Sequence, residues 1–208
     1  MRARAQHSQP PTLPTPLCDS LQVGDGNTPT FHAYAVGVQI YAWTNSSWLF
    51  VAPSATLYAD PGYHGQVATH SAGPTWQSNS GSKVVGMRLA ACTPDTTAIP
   101  WLKLGAVSSQ GPGVFDGVTF VQRVNTVGGK APGTAGTTVG QAANMPYTAE
   151  YYFYSATDKA PQPHPLPIPS RRALGPSWRR GWGEELTLRR LLSSTNHSRR
   201  FDPVIEQR

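Results

Sequence analysis

Cysteine is scarce in this sequence, and long apolar runs are absent. No window of about 18 apolar residues occurs, so no membrane-spanning helix is predicted. Hydrophobic residues make up 38% of the 208 positions, while 20 glycines and 20 prolines interrupt the chain. Long helices are therefore not expected, and no internal period indicates a repeat array. This length accommodates one domain of ordinary size with additional chain.

The formal net charge of +6 is distributed unevenly along the chain. Residues 18–154 hold five basic and six acidic side chains, whereas residues 155–208 hold ten basic and five acidic ones. The central segment is thus near neutral, and the positive excess belongs to the ends. A basic tail can attach to nucleic acid or to an anionic membrane, and we keep this as a second alternative function. A solvated tail is the simpler interpretation.

Composition divides the chain into three segments. Residues 1–17 are rich in proline and lack the hydrophobic stretch of a secretory signal, which predicts a disordered N-terminal arm. Residues 18–154 alternate β-branched and aromatic runs with Gly, Pro, Asn and Ser, a pattern typical of strands joined by turns. Residues 155–208 carry alternating prolines and Arg pairs. We predict a mostly disordered Pro/Arg-rich tail, with a short helix over 184–193 as its one candidate element.

The central segment predicts about eight short strands. Between positions 36 and 43, Val, Val, Ile and Ala alternate with Gly, Gln, Tyr and Trp, the period of a strand that buries one face. A turn at 44–47 lets the run 48–51 return as a hairpin partner. The other runs are 55–59, 65–70, 83–91, 101–108, 117–124 and 147–154. Since no helical segment separates them, we expect an all-β fold, an antiparallel β-barrel or β-sandwich.

The two cysteines, Cys18 and Cys92, permit two interpretations. Neither lies in a CxxC pair, so a zinc site is not indicated. They could form a disulfide, worth about 3 to 4.5 kcal/mol for a loop this long, or remain two buried thiols. The disulfide is favoured, and it would imply an oxidising compartment.

A series of motifs runs through the central segment in a fixed order. They occupy residues 37–41 with Trp48, 70–76 with 81–85, 99–102, 111–120, 122–129 and 146–154. Together they closely resemble the family known as domain of unknown function 3455, over about residues 18–154. The resemblance implies a secreted protein but no established activity. Family members tend to have cysteines at the positions of Cys18 and Cys92, which supports the disulfide.

The ends of the chain depart from that family. Its members usually begin with a signal peptide and end soon after the aromatic run that matches residues 147–154. The present sequence shows no signal peptide and adds about fifty residues. We interpret both ends as a misplaced start and a splice or frame error in the gene model. Secretion is predicted from the resemblance and the cysteine pair.

Four ionisable side chains are the candidates for a catalytic site: His32, His64, His70 and Asp116. Imidazole and carboxylate groups can act as acid, base or metal ligand. None of the four has diagnostic spacing, and Asp116-Gly117 is also a strong turn signal. No metal site or cofactor is predicted. A small enzyme using these residues is the alternative to a binding function.

The favoured hypothesis, that the protein is a binding or cell-surface module, rests on its aromatic residues. Gly73-Pro74 fixes a turn flanked by His70 and Trp76, whose rings can stack on or hydrogen-bond a ligand; Trp76 could equally cap the core. Tyr147, Tyr151 and Phe153 share one strand face and Tyr152 and Tyr154 the other, so one set fills the core and the other could line a groove. The predicted ligand is an unidentified small or carbohydrate-like molecule. The predicted ligand-binding residues are His70, Trp76, Trp48, Tyr41 and Tyr151.

Overall fold

The computed structural model describes residues 9–157, which form a closed barrel of eight antiparallel strands. Each strand pairs with the next in the chain, and β1 pairs with β8 to close the ring. The strands are β1 (Asn27–Trp43), β2 (Trp48–Tyr58), β3 (Gln66–Ser71), β4 (Thr75–Ser78), β5 (Lys83–Cys92), β6 (Trp101–Gln110), β7 (Val118–Gly128) and β8 (Ala142–Ala156). The prediction of an antiparallel all-β fold is confirmed, and of its two forms the structure has the barrel.

The predicted division into strands differs from the observed one in two places, and β1 and β8 also begin earlier than the predicted runs 36–43 and 147–154. The runs 48–51 and 55–59 belong to a single strand, β2, which continues through Pro53. Strand β4 was not predicted, because it has only four residues. The hairpin at 44–47 is present, with Trp43 paired to Trp48. The predicted number, eight, is correct only because the two errors cancel: β2 was divided into two strands and β4 was omitted.

Strand β1 turns its smaller and more polar face inward. Ala33, Ala35, Gln39 and Tyr41 are buried, whereas the valines and the isoleucine of the alternating run are only partly buried. The reason is volume, since an eight-stranded barrel is just wide enough for its interior side chains. Gly37 also lies against β2, where a Cβ atom would stand 2.1 Å from the Ser54 carbonyl oxygen. Small residues on β1 leave room for large aromatic rings opposite.

Strand β8 is buried on both faces over residues 151–154. Tyr147, Tyr151 and Phe153 point into the barrel core, where Phe153 packs against Phe115 with ring centroids 4.7 Å apart. Tyr152 and Tyr154 lie on the other face, in a separate apolar cluster. The parity predicted from the sequence thus assigns the first set to the core.

The second cluster is an outer layer formed by the chain that precedes β1. A disulfide joins Cys18 to Cys92 of β5, with their Cα atoms 5.4 Å apart. Leu13 packs against this layer, and the Cys18 amide donates to the Pro14 carbonyl at 2.7 Å. The predicted N-terminal arm, residues 1–17, therefore overlaps the described structure from residue 9 onward. The cluster comprises Cys18, Leu21, Cys92, Trp101, Val124, Tyr152 and Tyr154.

Residues 1–8 and 158–208 lie outside the described part of the chain. The predicted helix over 184–193 and the Arg pairs belong to that portion. Within residues 9–157, no helix has the length and apolar character needed to cross a bilayer.

Candidate functional site

A cavity of about 140 Å³ lies inside the barrel. All eight strands contribute to its wall, together with the turn between β3 and β4, so it lies within the ring of strands rather than on one side of the sheet. Most of the wall is apolar, and Phe50 and Val51 are exposed at it. The lining residues are Gln39, Phe50, Val51, Pro53, His70, Ala72, Gly73, Pro74, Trp76, Arg88, Leu102, Leu104, Arg123 and Tyr151.

Three aromatic rings in stacked and edge-to-face contact form one wall of this cavity. The His70 imidazole stacks on the Trp76 indole, with centroids 4.4 Å apart and planes 6° from parallel. Tyr151 meets both rings edge to face, at 5.3 Å from His70 and 5.5 Å from Trp76. The structure thus brings together three of the five side chains predicted to bind a ligand. Trp76 and Tyr151 are at the same time core residues.

His70 is held as a neutral imidazole. Its Nδ1–H donates to the Thr75 carbonyl at 3.0 Å, which leaves Nε2 as a hydrogen-bond acceptor. Burial lowers the pKa of His70 to about 4, with a smaller contribution in the same direction from the positive charge of Arg123 and an opposing one from the bond to Thr75. At neutral pH this residue therefore offers a lone pair and no charge.

Arg123 supplies the buried positive charge of the site. Arg123 is only 9% exposed. Its Nε–H and one Nη2–H donate to the Pro100 carbonyl at 3.2 and 2.8 Å. A guanidinium carries five N–H donors; beyond the two bonds to Pro100, one more acts on the Tyr151 hydroxyl, so two remain. Among residues 9–157, no carboxylate forms an ion pair with it. Burial raises the pKa of Tyr151, and the charge of Arg123 opposes that rise.

Two further donors at the cavity are unpaired. The Nε2 atom of Gln39 and the Nε1 atom of Trp76 are buried and have no partner at hydrogen-bond geometry within the described protein. The Gln39 side chain does act on the Tyr147 hydroxyl, where it opposes the rise in pKa that burial causes. Gln39 and Trp76 both line the cavity and are only 2% and 1% exposed. Buried polar groups are almost always paired in folded proteins, because an unpaired donor costs free energy. The site thus presents an excess of donors.

The other two predicted ligand-binding residues lie away from the cavity wall. The Tyr41 hydroxyl donates to the Gly129 carbonyl at 2.8 Å. The Trp48 indole N–H donates to the Thr134 carbonyl at 2.8 Å, and its ring packs against Trp43 at 5.4 Å. Their polar groups are therefore already engaged by the chain itself.

His32 belongs to a separate cluster. Its Nε2 is 2.9 Å from Glu150 Oε2, and its ring stacks on Tyr152 at 4.0 Å. Asn125 donates to the other carboxylate oxygen of Glu150 at 2.9 Å. These bonds lower the pKa of Glu150, and the bond from His32 has the largest effect. Burial acts in the opposite direction. This pair connects β1 and β8 at a distance from the cavity lining.

His64 and Asp116 also lie elsewhere. The His64 side chain is 82% exposed and contacts Asp60 at 3.2 Å within a turn. Asp116 is exposed in the loop between β6 and β7, where its amide donates to Gly113. Of the four catalytic candidates, the cavity wall includes His70 alone. Residues 9–157 contain no group of three or more side chains arranged to hold a metal ion.

A second cavity, of about 340 Å³, lies between the N-terminal segment and the barrel wall. Its lining includes Pro10, Leu13, Asn27 and Tyr154, and it also reaches Gln122. The amide nitrogen of Gln122 is bonded to the Leu21 carbonyl at 2.7 Å, and the Tyr154 hydroxyl is bonded to Gln122. Neither unpaired donor lies there, so we take the interior cavity as the functional candidate.

Sequence reasoning missed Gln39 and Arg123 as site residues. Arg123 carried a usable signal, since it is a charged residue inside an apolar strand, between Val121 and Val124. Gln39 carried a weaker one, because a single glutamine in an alternating strand is ordinarily assigned to the outer face. The inward direction of both depends on which face of each strand closes onto the barrel interior.

The fold and cavity together define the class of the protein: a small antiparallel barrel with an interior site lined by aromatic and donor groups. The family model described as "Protein of unknown function (DUF3455)" matches residues 24–155. The chain belongs to this family. No curated protein and no solved structure matched it.

Proposed function

We propose that this protein binds a small, ring-sized molecule in the interior cavity of its barrel. The observation that carries the proposal is the pair of buried, unpaired donors on Gln39 and Trp76, both on the wall of a largely apolar cavity. Ligand sites of this kind combine apolar walls with a few polar groups that fix orientation. A bound molecule with acceptor atoms would give these donors their partners.

The size of the cavity limits the ligand. Its volume of about 140 Å³ is close to that of an engineered cavity of about 150 Å³ that holds benzene. The apolar side chains of the wall favour an aromatic or branched aliphatic body over a carbohydrate, whose hydroxyls each need a partner. We therefore favour a ring-sized organic molecule.

We further propose that binding takes place outside the cell. A disulfide-bonded cysteine pair is consistent with that location, since such bonds persist in oxidising compartments.

The test is isothermal titration calorimetry of the purified protein with phenol, benzamide, benzoate and glucose. We expect one-to-one binding of at least one aromatic compound. Ala72→Trp places a bulky ring at an exposed position on the cavity lining and should abolish it. Ala59→Trp, at an exposed position outside the lining, is the matched control and should bind as the wild type does. Failure of all aromatic compounds to bind, or unchanged binding by Ala72→Trp, would contradict the proposal.

A further inference from the structure

We infer that the ligand of the interior cavity carries a carboxylate, and that Arg123 is the residue that recognises it. This inference rests on the proposed function and specifies its ligand class: a small aromatic or branched aliphatic carboxylate. It follows from the charge balance of the cavity, the types of hydrogen-bonding groups on its wall and the shape of the guanidinium group.

Charge balance is the first step. Arg123 carries a positive charge and lies among lining residues of which none is acidic; the other lining arginine, Arg88, is exposed to solvent. Ion pairs between residues of the described range join His32 to Glu150 and His64 to Asp60, and neither includes Arg123. A buried charge without a counter-ion is unfavourable, so buried arginines are normally paired. An anionic ligand would supply the missing partner.

The hydrogen-bonding groups on the wall also favour an anionic ligand. The unpaired groups on Gln39 and Trp76 are both N–H donors, and Arg123 retains two donors beyond those directed at Pro100 and Tyr151. A ligand that faces these groups needs several acceptor lone pairs and no donor of its own toward them. An ionised carboxylate offers two oxygens that only accept.

The guanidinium also matches a carboxylate in shape. Arginine is planar, with parallel N–H groups that can bind both oxygens of a carboxylate at once. Apart from Gln39, His70 and the exposed Arg88, the other lining side chains are mostly apolar, with Leu102, Leu104 and Pro53 among them. An acid whose body is a ring or a branched alkyl group would place its charge at Arg123 and its body against these side chains.

The experiment compares benzoate with benzamide, which has nearly the same shape but no charge. We expect the wild-type protein to bind benzoate at least about tenfold more tightly at pH 7, since a hydrogen bond to a charged group is the stronger kind. Arg123→Gln should weaken benzoate binding by about tenfold or more and change benzamide binding little. Lys83→Gln removes one positive charge outside the cavity lining and should leave both affinities unchanged.

The outcomes separate the two proposals. If benzamide binds as tightly as benzoate, or if Arg123→Gln and Lys83→Gln weaken benzoate equally, the carboxylate inference fails while ligand binding in the cavity stands. If no aromatic compound binds at all, the proposed function fails and the inference fails with it. The wild-type comparison needs no variant, so it decides the question even if Arg123→Gln does not fold.

Discussion

Two neighbouring residues of β7, Gln122 and Arg123, show how differently the two faces of the barrel wall are built. Gln122 faces the outer layer, where its amide donates to Leu21 and accepts from the Tyr154 hydroxyl. Arg123 faces the interior, where no carboxylate within residues 9–157 pairs with it. The outer face is complete within the chain itself, whereas the inner face has donors left over. We therefore expect the outer layer to stabilise the barrel, and the interior to bind the ligand if the proposed function holds.

The disulfide gives the largest expected effect, and it belongs to the outer face alone. Cys18→Ser combined with Cys92→Ser opens a loop whose ends are 74 residues apart. The free energy of unfolding should fall by about 4 kcal/mol in the loop-entropy model. Urea denaturation of the variant and the wild type measures this difference. Benzoate affinity, measured on the folded protein, should be retained; a loss of affinity would mean that the two faces are not independent.

The pH dependence of stability tests the interior face. His70 has a pKa of about 4 in the folded protein, against 6.5 for an ordinary histidine. Between these values the unfolded chain binds more protons, so the folded state loses stability as the pH falls from about 6.5 to about 4. The loss should approach about 3 kcal/mol. Urea denaturation of the wild type at a series of pH values across this window measures it.

His70→Gln is the comparison variant, because it removes the titrating group from the interior. The ionisable groups that face His70 are Arg123 and Tyr151, and burial raises the pKa of Tyr151 away from this window. Glu150, whose pKa is lowered, loses its contribution on acidification in both proteins, so that effect cancels in the difference. Identical pH profiles for His70→Gln and the wild type would show that His70 is not a buried neutral base.

The same change, Gln to Leu, made once on each face of the barrel wall compares their contributions to stability and to binding. Gln122→Leu leaves the Leu21 carbonyl and the Tyr154 hydroxyl without their partner, which should cost about 2 kcal/mol of stability and leave benzoate binding intact. Gln39→Leu removes an amide nitrogen that has no partner, so it should cost less and weaken binding instead. Thermal and urea denaturation together with calorimetry measure both. The reverse pattern would contradict the assignment of stability to one face and binding to the other.

The sequence predicts the all-β antiparallel class because strand length, turn residues and the lack of crossover helices are local features. The division of β2 at Pro53 shows where such reasoning fails: proline ordinarily interrupts a strand, but here it lies within the register, opposite Gln39. His70 and Trp76 could be singled out together because they pair directly across β3 and β4, a short-range contact. Arg123 joins them from β7, and no local pattern specifies that long-range closure.

The side of a strand that faces inward is likewise decided by the closed barrel. The apolar alternation in β1 indicates a buried face, yet the interior receives Gln39 and Tyr41 from the opposite one. The outer residues of that strand remain partly buried. Interior volume and the aromatic rings supplied by β4 and β8 select the residues that fit, and these are properties of the whole barrel.

The indole N–H resonances of ¹⁵N-labelled tryptophan test the central claim most directly, because the chain contains an internal control. Trp76 has an unpaired indole nitrogen at the cavity, whereas the Trp48 indole donates to Thr134. Assigned through Trp76→Phe and Trp48→Phe, the two signals should respond differently to benzoate: Trp76 should shift in a saturable manner, and Trp48 should stay in place. A Trp76 signal that does not move, or equal movement of both signals, would contradict binding in the barrel interior.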